Sequence, residues 1–235
     1  MTYFITADVH SFYPALRTAL DAAGFDPTNP NHTLISLGDL LDRGSYPIDC
    51  LKYMLSLDPS RRIFIRGNHE DLIQKAIDRG TCLSHDYSNG TAMTVAELLS
   101  SPENMALWND YYAFTTPFHE IGTNIFVHGW IPTYDPSWRY DWRTGDWSAA
   151  AWDNGMLKWH EGYILPDHTI FCGHWHTSWG HHFLHNTSEE WPNPRSTNPA
   201  HQKADFSPFI DTGIVALDAC TAVSHHVNVY TLEVK

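Results

Sequence analysis

The chain has 235 residues, 43% of them apolar, long enough for one large domain with a full core. A formal charge of −13 without any basic patch excludes a nucleic-acid backbone as the main partner, and no apolar run is long enough for a membrane span. The cysteines (Cys50, Cys82, Cys172, Cys220) stand far apart with no CxxC pair, which reads as free thiols in a reducing cytoplasm.

Residues 3–7 read as a strand ending at Asp8 rather than as the start of a secretion signal, so the expected location is cytoplasmic. Pro14 opens a helix with Leu16, Ala19, Leu20 and Ala23 on one face, stopped by Gly24. Residues 33–37 form the next strand, ending at Gly38-Asp39. A helix follows over about 47–57, then a third strand, 62–66, ending at Gly67-Asn68. Strands alternating with helices predict βαβαβ and a largely parallel sheet. In such sheets sites lie beyond the carboxyl ends of the strands, where the polar segments after all three strands fall.

Residues 70–79 read as a helix stopped by Gly80, and helices near 91–99 and 102–112 as a cap or flanking layer. A strand over 124–127 leads into His128. The tryptophan-rich stretch 130–160, irregular until a short helix near 148–160, reads as a cap-like segment. Packing is the preferred role for its rings, ahead of stacking on a base or sugar. A strand over 169–172 leads into Gly173-His174. Residues 181–205, rich in His, Asn, Pro and Ser, read as a long loop. Closing strands at 209–210, 214–217 and 226–232 are expected antiparallel in a second sheet. No repeat or linker is visible, so one domain over 1–235 is expected.

Five polar motifs follow the apolar runs: Asp8-Val9-His10, Gly38-Asp39-Leu40-Leu41-Asp42-Arg43-Gly44, Gly67-Asn68-His69-Glu70, His128-Gly129 and Gly173-His174-Trp175-His176. Together they supply the carboxylate, imidazole and amide donors that a pair of metal ions needs to cleave phosphate esters. Alternation along an extended chain would put Asp8 and His10 on one side, able to grip one ion. The two oxygens of Asp39 can bridge ions about 3.5–4 Å apart. Arg43 fits a phosphate in bidentate geometry. Asn68 offers an amide oxygen. His69, pointing away from the ions, is free to protonate a leaving alkoxide, with Asp42 fixing its other ring nitrogen. His128 and His174 each sit beside a glycine that lets backbone approach closely.

The order DxH, GDxxDRG, GNHE, HG, GHxH resembles the calcineurin-like metallophosphoesterases, from Asp8 to about Leu232. GDxxDRG, RGNHE and the tail Asp211-Thr212-Gly213 are similar to the phosphoprotein phosphatase branch, including small bacterial and phage serine/threonine protein phosphatases. The resemblance implies a four-layer αββα sandwich of two mixed β-sheets. It implies that Asp8, His10 and Asp39 bind one metal and that Asp39, Asn68, His128 and His174 bind a second. It further implies that His69 and Asp42 form the acid pair, that Arg43, Asn68 and His69 meet the phosphate, and that a metal-bridging hydroxide attacks phosphorus. Manganese is the expected ion; Fe, Zn, Ni, Co and Mg suit the same donors.

The chain departs from that branch twice. Where phosphoprotein phosphatases have Gly-His-Thr-Pro, this chain has Gly173-His174-Trp175-His176. The second histidine is the form of the wider superfamily, which makes His176 a candidate further ligand of the first metal. The small enzymes also carry a phosphate-binding arginine around Asn154; here it is absent, leaving Arg139, Arg143 or Arg66 as substitutes. The implied function is hydrolysis of phosphate monoesters, on a phosphoprotein or a small molecule. The alternative is a hydrolase of dinucleoside polyphosphates of the diadenosine tetraphosphate type, or a phosphodiesterase. A non-catalytic scaffold would have lost ligands or His69, and here all are present.

Overall fold

Side-chain alternation along the strands builds the architecture seen in a computed structural model, which describes residues 1–132, 141–185 and 204–234. The strands are β1 (Thr2–Thr6), β2 (His32–Ser36), β3 (Arg62–Ile65), β4 (Thr115–Thr116), β5 (Phe118–Ile121), β6 (Asn124–Val127), β7 (Thr169–Cys172), β8 (Phe209–Asp211), β9 (Ile214–Ala216) and β10 (Val229–Glu233). They form two mixed sheets, ordered β10-β1-β2-β3-β4 and β5-β6-β7-β9-β8. Within the first, β1 to β4 run parallel and β10 is antiparallel to β1; within the second, β5 and β8 are antiparallel edges on the parallel β6, β7 and β9.

Successive strand residues face different cores. Ile5, Ile35, Ile65, Phe126, Phe171 and Val215 meet between the sheets. Their neighbours Phe4, Leu34 and Phe64 turn outward, onto Leu16, Leu20, Leu51, Met54, Ile73 and Trp108 of the helices. On the second sheet Ile125, Val127, Ile170, Cys172, Ile214 and Ala216 turn outward, onto Trp130, Trp142 and Met156. Strands apolar on both faces, covered by two layers of helices, give the αββα order.

The first sheet is covered by α1 (Tyr13–Ala23), α2 (Pro47–Ser56), α3 (Asn68–Arg79), α5 (Thr91–Leu98) and α6 (Pro102–Phe114), with α4 (Ser84–Ser88) lying against α5. Gly24 (φ +82°) and Gly80 (φ +65°) end α1 and α3 in the left-handed conformation the sequence predicts.

Three expectations change. The last strand, β10, joins the first sheet and covers the edge of β1 rather than extending the second. Residues Ser178–His185 form a helix, not the start of a loop: Trp175, Trp179 and Phe183 recur every fourth residue and pack on the second core. The helix near 148–160 is two helices, Trp147–Ala150 and Gly155–His160. The rest of the expected loop, 186–203, and Arg139 lie outside the described residues. Among the described residues no helix is long and apolar enough to cross a membrane.

The tryptophan-rich stretch divides. Trp130 and Trp142 are buried in the second core, whereas Trp147 is half-buried and Trp152 is 51% exposed.

Candidate metal centre

All five motifs meet beyond the carboxyl ends of β1, β2, β3, β6 and β7. Left-handed backbone turns the side chains inward: Asp8, His10, Asp39, Asp42, Arg43 and His174 have φ between 50° and 73°. Each such non-glycine residue costs about 1–3 kcal/mol, a cost that concentrates at functional sites. Asp8 and His10 therefore converge, with His10 Nε2 4.0 Å from Asp8 Oδ1, through two left-handed residues and not by strand alternation.

Asp39 is central. Its Oδ2 lies 3.9 Å from His10 Nε2 and 3.9 Å from His69 Nε2, while its Oδ1 lies 3.3 Å from His128 Nε2. Asn68 Oδ1 is 2.8 Å from the same His128 nitrogen. Donor atoms of His10, Asp39 and His69 thus cluster within 4.8 Å of one another, as do those of Asp39, His128 and His174. The carboxylate belongs to both groups, one oxygen toward each.

The histidines are oriented as metal ligands are. His10 Nδ1 donates to the Leu41 carbonyl (3.0 Å) and His128 Nδ1 to the Leu37 carbonyl (2.8 Å). A carbonyl only accepts, so the other nitrogen of each ring, Nε2, is the one turned toward Asp39. Asp8 Oδ1 is buried and makes no hydrogen bond among the described residues. An orphaned carboxylate oxygen, oriented imidazoles and a shared carboxylate fit a pair of divalent ions.

Charge divides the donors: His10, His174 and Asp39 are shifted toward the form that binds a metal, whereas His128 and Asp8 are shifted toward their protonated forms. Burial and the Arg43 guanidinium hold His10 well below the usual imidazole range, and burial with His128 pushes His174 down to about 3. Both are therefore neutral, the form that binds a metal. Burial would raise the Asp39 carboxyl, but His128, His69 and His10 outweigh it and hold the group ionised. Burial likewise opposes charge on His128, and Asp39 overrides it, raising His128 to about 10. Burial and Asp218 raise Asp8 well above the carboxylate range.

His69 reaches further in than expected, standing with His10 and Asp39. Its Nδ1 donates to Asp42 Oδ2 at 2.6 Å, the expected pairing. Burial lowers its pKa, but Asp39 and Asp42 more than compensate, and the net shift is upward. Arg43 lies across the two rings, Nη1 2.8 Å from His10 Nε2 and Nη2 3.2 Å from His69 Nε2. His176 is in neither donor group; its Nδ1 bonds the Ser178 hydroxyl and its ring packs on Trp179 and Phe206.

Asn154, at the position of the missing arginine, accepts from Leu157 N at 3.1 Å and caps the helix Gly155–His160. Arg143 is held by Glu120 and Asp141. Arg66 lines a cavity together with His128.

Several supporting residues escape sequence reasoning. Thr91 Oγ1 donates to Asp42 Oδ2 at 2.6 Å, Thr221 Oγ1 to the Asp8 carbonyl at 2.9 Å, and Asp218 is buried close enough to raise Asp8. No local signal marks them. Glu70 had one, its place three residues into α3 after Gly67. Its carboxylate accepts the backbone N–H groups of Gly67 (2.7 Å), Asp39 (2.9 Å) and Leu40 (2.9 Å), tying two motifs together. Burial and Asp39 raise it to about 7. Gly67 itself has no room for a Cβ, which would strike Asp39 Oδ1. Glu70→Gln turns an amide NH2 toward at least one of these donors. The expected loss is about 1–3 kcal/mol of stability, the cost of an unsatisfied buried group, read by urea unfolding. An unchanged midpoint would contradict the tie.

The family model for calcineurin-like phosphoesterases matches residues 1–186. A symmetrical bis(5'-nucleosyl)-tetraphosphatase of Photorhabdus laumondii is 37% identical over 70 residues, 30% of this chain and 24% of that protein. That of Methylococcus capsulatus is 29% identical over 140 residues, 59% of this chain and 45% of that protein. The matches thus span from about a quarter to a little under half the length of these relatives. Among solved structures, a candidate diadenosine tetraphosphatase superposes with a TM-score of 0.56 at 14% identity, covering 100% of this chain and 95% of that one. A cold-active protein-tyrosine phosphatase of a Shewanella species gives 0.57 at 15%, covering 99% and 75%. At such identities the likeness concerns the fold, which is the two-sheet arrangement described above. With the family model covering most of its length, this chain belongs to the calcineurin-like phosphoesterases.

Proposed function

We propose that the chain is a two-metal phosphoric ester hydrolase that acts on dinucleoside polyphosphates. The observation that carries the chemistry is Asp39, one carboxylate whose two oxygens face two clusters of donors. In this reading Asp8, His10 and Asp39 hold one ion, and Asp39, Asn68, His128 and His174 hold the other. His176 stays outside the set, given its ring contacts with Trp179 and Phe206. Two bound ions would supply positive charge against the phosphoryl oxygens and acidify a water.

The chain's own residues do the rest. Arg43 offers two parallel N–H groups to a phosphate, in the space between His10 and His69. In its imidazolium form His69 gives the Nε2 proton to the leaving oxygen as the phosphorus–oxygen bond breaks. Asp42 keeps the ring oriented through Nδ1, and Thr91 keeps Asp42 in place.

The motifs alone put phosphate monoesters first. The curated relatives carry the name of a dinucleoside tetraphosphatase, which supports the polyphosphate reading better. Asn154 in its capping role supports it too, because the arginine of the protein-phosphatase pattern is missing there. The test is a panel of diadenosine tetraphosphate, a phosphopeptide, an aryl phosphate and an aryl diester, each with added divalent metals. The reading expects diadenosine tetraphosphate to have the highest kcat/KM by at least about tenfold, a margin of about 1.4 kcal/mol. Preference for the phosphopeptide would overturn it.

A further inference from the structure

A cavity of about 230 Å³ adjoins the centre, sharing His128 as part of its wall. Arg66, Asp71, Trp130, Trp147 and Ser148 form other parts. Arg66 is set rigidly: Nε donates to Thr115 Oγ1 at 2.8 Å, Nη2 to the Thr115 carbonyl at 3.3 Å, and the guanidinium lies 4.4 Å from the Tyr112 ring centre. Beside it, Asp71 Oδ1 accepts the Tyr112 hydroxyl at 3.1 Å. Trp147 is equally fixed, stacked on Phe118 at 4.8 Å and 14°, with Nε1 donating to the Arg143 carbonyl.

The cavity therefore offers an ordered aromatic wall, a cation and a carboxylate within reach of the centre. A nucleobase uses all of this, since it has a π face and polar edges of both signs. A benzene ring from a phosphopeptide would add no polar contact on the Arg66–Asp71 side. Charge adds to the case: the chain carries −13, and Arg66 is the one arginine or lysine among the described residues of the cavity wall. A ligand with several phosphates finds favourable charge at Arg66 and at Arg43 on a chain that is otherwise acidic.

We propose that this cavity is a nucleoside-phosphate subsite, in which Trp147 stacks the base and Arg66 takes an oxygen of a phosphate beyond the one cleaved. The proposal rests on the polyphosphate reading above, which places the centre's substrate in a chain of phosphates.

The experiment is calorimetric binding of two non-hydrolysable probes to the metal-loaded chain: adenosine 5′-(α,β-methylene)diphosphate and methylenediphosphonate. Base stacking predicts that the nucleoside probe binds about tenfold or more tightly than the bare one. Trp147→Ala abolishes that advantage, Trp147→Phe keeps most of it, and Arg66→Gln weakens both probes by about tenfold. Equal affinities in the wild type, or a ratio unmoved by Trp147→Ala, overturn the subsite. Turnover of diadenosine tetraphosphate is read separately. No turnover with the nucleoside preference intact sinks the substrate reading alone; turnover with no preference sinks the subsite alone.

Discussion

Replacing His69 by asparagine is expected to lower kcat by about 10²–10⁴-fold, the range for loss of a positioned general acid. His69 is buried and bonded through Nδ1 to Asp42, and Asp39 and Asp42 raise its pKa against the burial, which favours the protonated form an acid needs. Asparagine keeps a polar group of similar reach but has no proton to transfer at neutral pH. The variant is expected to bind the same metals as the wild type, because its proposed role is with the leaving group. Substrates with a good leaving group, such as a nitrophenyl ester, need less protonation and should suffer least. The measurement is kcat across a series of leaving groups, with metal content determined in parallel. Unchanged turnover would sink the acid role. Loss of activity together with loss of a metal would make His69 a ligand instead, which its place beside His10 and Asp39 makes the sharpest competitor.

The second large effect is expected at Asp39. Asp39→Asn removes one anionic oxygen from a group whose two oxygens face separate donor clusters. It also withdraws the charge that raises His128 to about 10 and supports protonation of His69. Charge stabilisation by metals amounts to several kcal/mol. Weakening both ions together should therefore cost at least about 10³-fold in kcat/KM, each 1.36 kcal/mol being tenfold. Elemental analysis should show fewer than two ions per chain in the variant under conditions that saturate the wild type. A variant with full metal content and near-normal activity would contradict the sharing of this carboxylate.

Much of this was legible in the sequence because it is local. A strand end followed by a glycine-flanked polar motif says where a site residue stands, and β1, β2, β3, β6 and β7 fall within a residue or so of the expected bounds. Where the reading differed, the cause is long-range. Nothing in Val229–Glu233 says which sheet it joins; the open edge of β1 decides it, more than two hundred residues away in sequence. The strand Phe118–Ile121 was hidden because its residues are all half-buried and show no clean alternation, although Gly122-Thr123 before Asn124 is a hairpin signal. The helix Ser178–His185 was obscured by its histidines, while its spaced aromatics carried the true period.

The site followed the same division. The types and order of the side chains that meet could be read from the motifs, but not the backbone that aims them, since left-handed φ at Asp8 and His10 has no signature in DxH. Glu70, Thr91, Thr221 and Asp218 support the motifs from other elements and become visible only in three dimensions. Substrate preference was least legible of all: the walls of the proposed subsite, the Arg66–Trp147 cavity, are drawn from segments far apart in sequence.

The central claim, one carboxylate shared between two ions, is tested most directly by anomalous diffraction from crystals of the chain grown with manganese. The account predicts two peaks about 3.5–4 Å apart, one beside Asp8 and His10, the other beside Asn68, His128 and His174, with Asp39 touching both. A single peak, or two peaks without Asp39 between them, would contradict it.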